Sequence, residues 1–112
     1  MFVQGDIIHL NFTPSAGCEM KGPHYGLVVS QSDLNFTGAG QVCPITTGPQ
    51  ELARESGLTT SLMNTGLSTQ GIVLVAQARF TDFEARNARK VEHVPDYILD
   101  DVLDKLAAIY GF

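Results

Sequence analysis

His24 is the residue of this chain best suited to moving a proton at neutral pH, because an imidazole titrates at about 6.5 and can donate or accept there. It stands in Gly22-Pro23-His24-Tyr25, at the end of a polar stretch that also holds Cys18, Glu19 and Lys21. The other two histidines offer less: His9 alternates outward from an apolar run, and His93 lies just ahead of a proline that opens a helix. Thr46 and Thr47 close the run Val42-Cys43-Pro44-Ile45 with two hydroxyl groups, which matter as donors to an anionic oxygen only if they face the same groove as His24; threonine is otherwise an ordinary strand residue. Arg79 is the cation best placed to add positive charge, whereas Arg86 and Arg89 read as structural or solvated. The two cysteines, Cys18 and Cys43, lack the C-x-x-C or Cys/His spacing of a zinc site and are too few for a disulfide framework. Both read as reduced thiols, Cys43 as a small core residue.

Charge limits what such a set can bind. The formal charge of −5 argues against a surface that neutralises many phosphates. Its distribution changes the conclusion: residues 92–112 hold five acids against one lysine, a charge of −4, which leaves −1 on residues 1–91. Any nucleic acid must therefore lie on the nearly neutral body, with modest affinity. An apolar fraction of 44% against 17% charged residues excludes a disordered chain. The first residues carry neither the basic start nor the apolar stretch of a secretory signal, and no apolar run is long enough to span a membrane, so a cytoplasmic location is expected.

The elements that must position these residues are short. Ile7–Phe12 places Ile8, Leu10 and Phe12 on one face of a strand and His9 and Asn11 on the other. A loop with two glycines follows, then strands over His24–Ser30 and Gln41–Thr47, where Pro44 marks an edge or a bulge. A further strand is expected across Leu58–Met63, and Gly71–Phe80 reads as the strongest strand, running through the centre of the sheet. Thr81-Asp82-Phe83-Glu84 fits a capping box at the start of a helical turn, Ala88–His93 returns as a strand, and Pro95 opens an amphipathic helix carrying Ile98, Leu99, Val102, Leu103, Leu106 and Ile109. The pattern predicts one domain over residues 1–112, mainly β: a small SH3-like barrel with a C-terminal α-helix.

Several segments in order resemble the MazF/PemK family of toxin endoribonucleases. They are Gly5-Asp6-Ile7, Phe12-Thr13-Pro14 with Gly17-Cys18-Glu19, Leu27-Val28-Val29-Ser30 with Asn35, Pro44-Ile45-Thr46-Thr47, Gly71-Ile72-Val73-Leu74 with Gln77 and Arg79, and Ala85-Arg86 with Val94-Pro95. The resemblance implies the CcdB/MazF type of barrel and a cytoplasmic homodimer. It also implies a toxin of a type II toxin-antitoxin system, silenced by a cognate antitoxin, that cuts single-stranded mRNA through attack of a ribose 2′-hydroxyl, with no metal or other cofactor. It assigns catalysis to an arginine before the second strand and a threonine ending the third. Thr46 matches the threonine; His24 stands in the arginine's place. Cys18, Glu19, Lys21, Thr47, Gln77 and Arg79 are the implied RNA contacts. Other family positions also differ: Leu74 stands where some members have arginine, Ala76 where many have aspartate and Cys18 where some have histidine. Two rival outcomes keep the fold, a CcdB-like inhibitor that binds gyrase and a degenerate homologue that binds antitoxin without cutting RNA.

Overall fold

In the computed structural model, which describes residues 1–12, 22–48 and 56–112, the first strand is buried on both faces. Successive side chains of a strand point to opposite sides. β1 (Asp6–Asn11) accordingly sends Ile7 into one hydrophobic cluster and Ile8 and Leu10 into another. β2 (Pro23–Val28) and β3 (Ala39–Thr46) repeat the division, Leu27 against Val28 and Cys43 against Val42. A C-terminal helix, α2 (Asp96–Ile109), covers the first cluster with Ile98 and Val102; the short helix α1 (Ser32–Asn35) lies between β2 and β3. The second cluster is closed by Phe2, Phe83 and Ala88, with the two phenylalanine rings edge to face at 4.8 Å.

The remaining strands are β4 (Thr59–Ser61), β5 (Ile72–Leu74), β6 (Arg79–Asp82) and β7 (Arg89–His93). All seven belong to one antiparallel sheet in the order β4-β5-β3-β2-β1-β7, with β6 also paired to β3. The mainly β architecture with a terminal helix agrees with the sequence. The long strand expected over Gly71–Phe80 does not: it is two strands separated by a 3₁₀ turn at Val75–Gln77, and the central strand is β3. On one edge of β3, Ile45 and Thr46 pair with β5 while Ala39 to Val42 pair with β6.

Pro44 falls in the gap between those two pairings. The Gln41 carbonyl accepts from the Val29 amide on the β2 side, so by alternation the amide position of Pro44 faces the other way, toward the gap. A proline is tolerated in this central strand because, among the described residues, no strand partner is paired there to accept a hydrogen bond. The expected edge or bulge is therefore absent. The capping box also differs. Thr81 lies inside β6 and donates its hydroxyl to the Arg79 carbonyl, while Asp82 Oδ1 caps the following turn by accepting from the Ala85 amide at 3.1 Å.

Two carboxylates tie the ends together. Glu92 on β7 accepts from the Ser68 amide at 3.1 Å, the Thr69 amide at 2.6 Å and the Thr69 hydroxyl, so one end of the strand order is clamped to the β4–β5 connection at the other. The Asp6 carboxylate, almost wholly buried, accepts from the Val3 amide at 2.9 Å and meets His93 Nδ1 at 2.8 Å and Lys90 Nζ at 3.4 Å. Burial pushes both acids upward. Hydrogen bonds, from Val3, His93 and Lys90 to Asp6 and from Thr69 and Ser68 to Glu92, outweigh it and hold both below their ordinary values.

Carboxyls depressed in this way contribute stability that is complete above their unfolded-chain values of 3.8 and 4.5 and is lost as the pH falls through the lower folded ones. The urea midpoint is therefore expected to drop steeply below about pH 4. At pH 7, Glu92→Ala leaves three donors without their acceptor and is expected to cost about 2 kcal/mol in urea unfolding. The exposed Glu84→Ala should stay within about 0.5 kcal/mol of the parent.

Candidate functional site

Strand register brings the two foremost candidates to one face. The pairing of β2 with β3 runs from Val28–Val42 to Tyr25–Ile45, and His24 and Thr46 are the next residues beyond it on the two strands, on the same face as Gly26 and Pro44 by alternation. His24 is also opposite Leu10 on β1, and Thr46 is opposite Ile72 on β5, itself opposite Ser61 on β4. Directly opposed residues of an antiparallel pair share a face. Leu10 with His24, and Thr46 with Ile72 and Ser61, thus form two rows on the same face of the sheet. Helix α2 packs against the other face, through Leu27, Ile45 and Val73. Its exposed Asp96, Asp100 and Asp104 recur every fourth residue, so the acidic tail is set on the far side of the sheet from His24 and Thr46.

Each member of the pair is free to act on a ligand. His24 is half-buried and its ring makes no hydrogen bond among the described residues. Thr46 Oγ1 accepts the Gly48 amide at 3.1 Å, which occupies a lone pair and leaves the hydroxyl proton to donate outward. Gly71 is what lets β5 come this close. A Cβ there would run into the Thr46 carbonyl, and its φ of +115° is one that side-chain-bearing residues rarely adopt. Beside Thr46 a cleft of about 390 Å³ opens, lined by Thr47, Ser61, Met63, Gln70 and Ile72 among others. It combines hydroxyl and amide groups with an exposed thioether.

The other candidates are distributed unevenly. Thr47 is exposed at the cleft. Arg79 on β6 lays its guanidinium over the Phe12 ring, 4.9 Å from the centroid, and the Phe12 amide binds the Gly22 carbonyl, two residues before His24. The cation is therefore carried toward the start of β2. Gln77 ends the 3₁₀ turn, with Oε1 enclosed and meeting no donor among the described residues. Cys18, Glu19 and Lys21 lie outside the described residues. Among the described residues no three His, Cys, Asp or Glu side chains converge as a metal-binding group would. Sequence reading missed Ser61, Met63 and Gln70 as cleft residues; three consecutive hydroxyl residues, Thr59-Thr60-Ser61, have no alternation to mark which one faces the cleft.

Residues 3–110 match the PemK-like, MazF-like toxins of type II toxin-antitoxin systems. This chain belongs to that family. It is similar to the endoribonuclease PemK of Escherichia coli, at 35% identity over 107 residues covering 95% of this chain and 80% of PemK. It is likewise similar to the endoribonuclease toxin ChpB of Escherichia coli strain K12, at 34% identity covering 96% of this chain and 93% of ChpB. Among solved structures it is similar to MazF of Deinococcus radiodurans, with a TM-score of 0.86 and 32% identity over 98% of this chain and 96% of that one. It also resembles a MazE–MazF crystal structure from the same organism, with a TM-score of 0.81 and 31% identity over the same shares. Leu74 is buried and Ala76 is exposed, and as hydrocarbon side chains neither can donate or accept a proton.

Because Gly71 sets the seat of Thr46, Gly71→Ala is expected to destabilise the toxin by about 2 kcal/mol or more through clash and backbone strain. Thermal unfolding of the variant checks this. Gly66→Ala, also at positive φ but with open space around it, should cost less.

Proposed function

We propose that this toxin is an endoribonuclease that cuts single-stranded mRNA by attack of a ribose 2′-hydroxyl on the adjacent phosphate. The observation that carries the reading is that His24 and Thr46 both lie just beyond the end of the β2–β3 pairing, on the face turned away from the acidic helix. The attack needs a base for the 2′-hydroxyl, donors for charge on the five-coordinate phosphate, and an acid for the departing 5′-oxygen. His24 removes or returns a proton. The Thr46 hydroxyl, its lone pair held by the Gly48 amide, donates to a non-bridging oxygen. Thr47, Gln77 and Arg79 contact the RNA, joined by Cys18, Glu19 and Lys21 from the segment before β2, with Glu19 the alternative base. No step in this scheme calls on a metal.

The relatives support the reading: PemK and ChpB are named endoribonucleases, and MazF of Deinococcus radiodurans crystallises with MazE. By the same reasoning this toxin acts in the cytoplasm as one domain over residues 1–112, pairs as a homodimer, and is silenced by a cognate antitoxin whose tail occupies the RNA groove.

Incubating the purified protein with a long RNA tests the proposal. Cleavage is expected to survive EDTA and to change with pH across the neutral range, where imidazoles titrate. His24→Ala should lower the rate about 10²- to 10⁴-fold, and Thr46→Val about tenfold, as removal of one neutral donor. His24→Arg should flatten the pH profile. Equal cleavage by the parent and His24→Ala from about pH 5 to pH 9 sinks the assignment.

A further inference from the structure

On the opposite face of the β1–β2 ribbon from His24, Tyr25 and His9 stand side by side. They are register partners, with ring centroids 5.2 Å apart and planes at 75°. On the other side of β1, His9 is the partner of Arg89 on β7. Tyr25, His9 and Arg89 therefore form a row across three adjacent strands. Further along the same face, Ile7 and Leu27 are sealed in the cluster covered by α2. The row begins where that cover stops: Tyr25 is 41% exposed, Arg89 is exposed and His9 is half-buried. Arg86 is held nearby, since its carbonyl accepts the Asn11 amide at 2.9 Å, and a hollow of about 140 Å³ opens between His9, Asn11, Pro23 and Arg86.

These groups suit one class of ligand. An unpaired nucleobase needs an aromatic face to stack on, and the phosphates on either side of it need cations. Tyr25 and His9 stand edge to face and supply the rings; Arg89 supplies the charge. Tyr25 follows His24 directly in the chain, yet the two side chains point to opposite faces. The row can therefore hold a neighbour of the nucleotide at His24, not that nucleotide itself.

We propose that Tyr25, His9 and Arg89 form a stacking subsite for a nucleotide of single-stranded RNA flanking the cleaved step. The proposal rests on the ribonuclease reading above. It makes the three residues determinants of RNA affinity and of how much flanking sequence the toxin engages, apart from the chemistry.

The test begins by mapping the cut that the wild-type protein makes in a long RNA. A short oligoribonucleotide of that sequence is then made with 2′-O-methyl riboses, which removes the nucleophile, and with 2-aminopurine at the flanking positions. Tyr25→Ala and His9→Ala are expected to weaken its binding about tenfold each and to lose the stacking quench of 2-aminopurine. Tyr25→Phe and His9→Phe, which keep a ring, should bind within about twofold of the parent. Arg89→Ala should weaken binding and reduce the slope of log affinity against log salt by about 0.7. RNA that is cut and bound with parental affinity by the alanine variants overturns the subsite and leaves the ribonuclease reading standing. Equal losses in the alanine and phenylalanine variants, with a lowered melting temperature, mark a packing role and overturn it too. A wild-type protein that neither cuts nor binds RNA overturns both.

Discussion

A strand has two hydrogen-bonding edges, and the fold turns on how β3 divides its own. One edge belongs to β2; the other is shared by β5 and β6, which meet it at opposite ends. Once two strands must share an edge, the chain between them has to leave the sheet and come back. It does so as the 3₁₀ turn at Val75–Gln77, which drops Val75 into the larger hydrophobic cluster. The same division explains why Pro44 costs no hydrogen bond and why Gly71 must be bare where β5 meets Thr46. The position of the site follows, because Thr46 is the last residue of β3 and sits where its edge passes to β5.

Sheet alternation also settles the electrostatics. The chain as a whole is a poor candidate for meeting RNA, at −5. Its acids are not evenly spread: Asp96, Asp100 and Asp104 are displayed on a helix whose buried side packs against the face opposite His24. Asp101, on the same helix, reaches β4. It accepts from Lys105 and from the Thr60 hydroxyl, at 2.7 and 2.6 Å, and those bonds hold it below its ordinary value against the opposing effect of burial. Lys105 in turn donates to the Thr59 carbonyl at 2.7 Å, so the charge pair fastens the helix to β4.

What could be read from the sequence was whatever depends on local periodicity. The burial of Ile8, Leu10 and Phe12, and of Ile98 and Val102 in the helix, follows from spacings of two and of three to four residues. The break inside Gly71–Phe80 does not, because an apolar run has no signature for competition over another strand's edge. Nor does the arrival of His24 and Thr46 at the same end and on the same face of the β2–β3 pair, since it depends on the register between strands joined through α1. Thr81 was a plausible cap by its spacing to Glu84, but its pairing with Gly40 keeps it in β6 and passes the capping to Asp82. Asn35 was legible as a family residue before its role was. Fully buried, it donates to the carbonyls of Phe2 and Ser30 and so fixes the start of the chain against the β2–β3 connection.

The pairing of β1 with β7 bears on when the protein can come into being. Residues 7–9 find one partner in β2 soon after they are made, but their other edge must wait for residues 89–92, and the clamp at Glu92 waits with them. A ribosome making this chain therefore carries an open sheet until nearly all of these 112 residues have been synthesised. Contacts this distant in sequence close late and slowly. Until residues 89–93 are made, β1 has one edge without its partner, and the last strand to form closes both ends of the sheet at once.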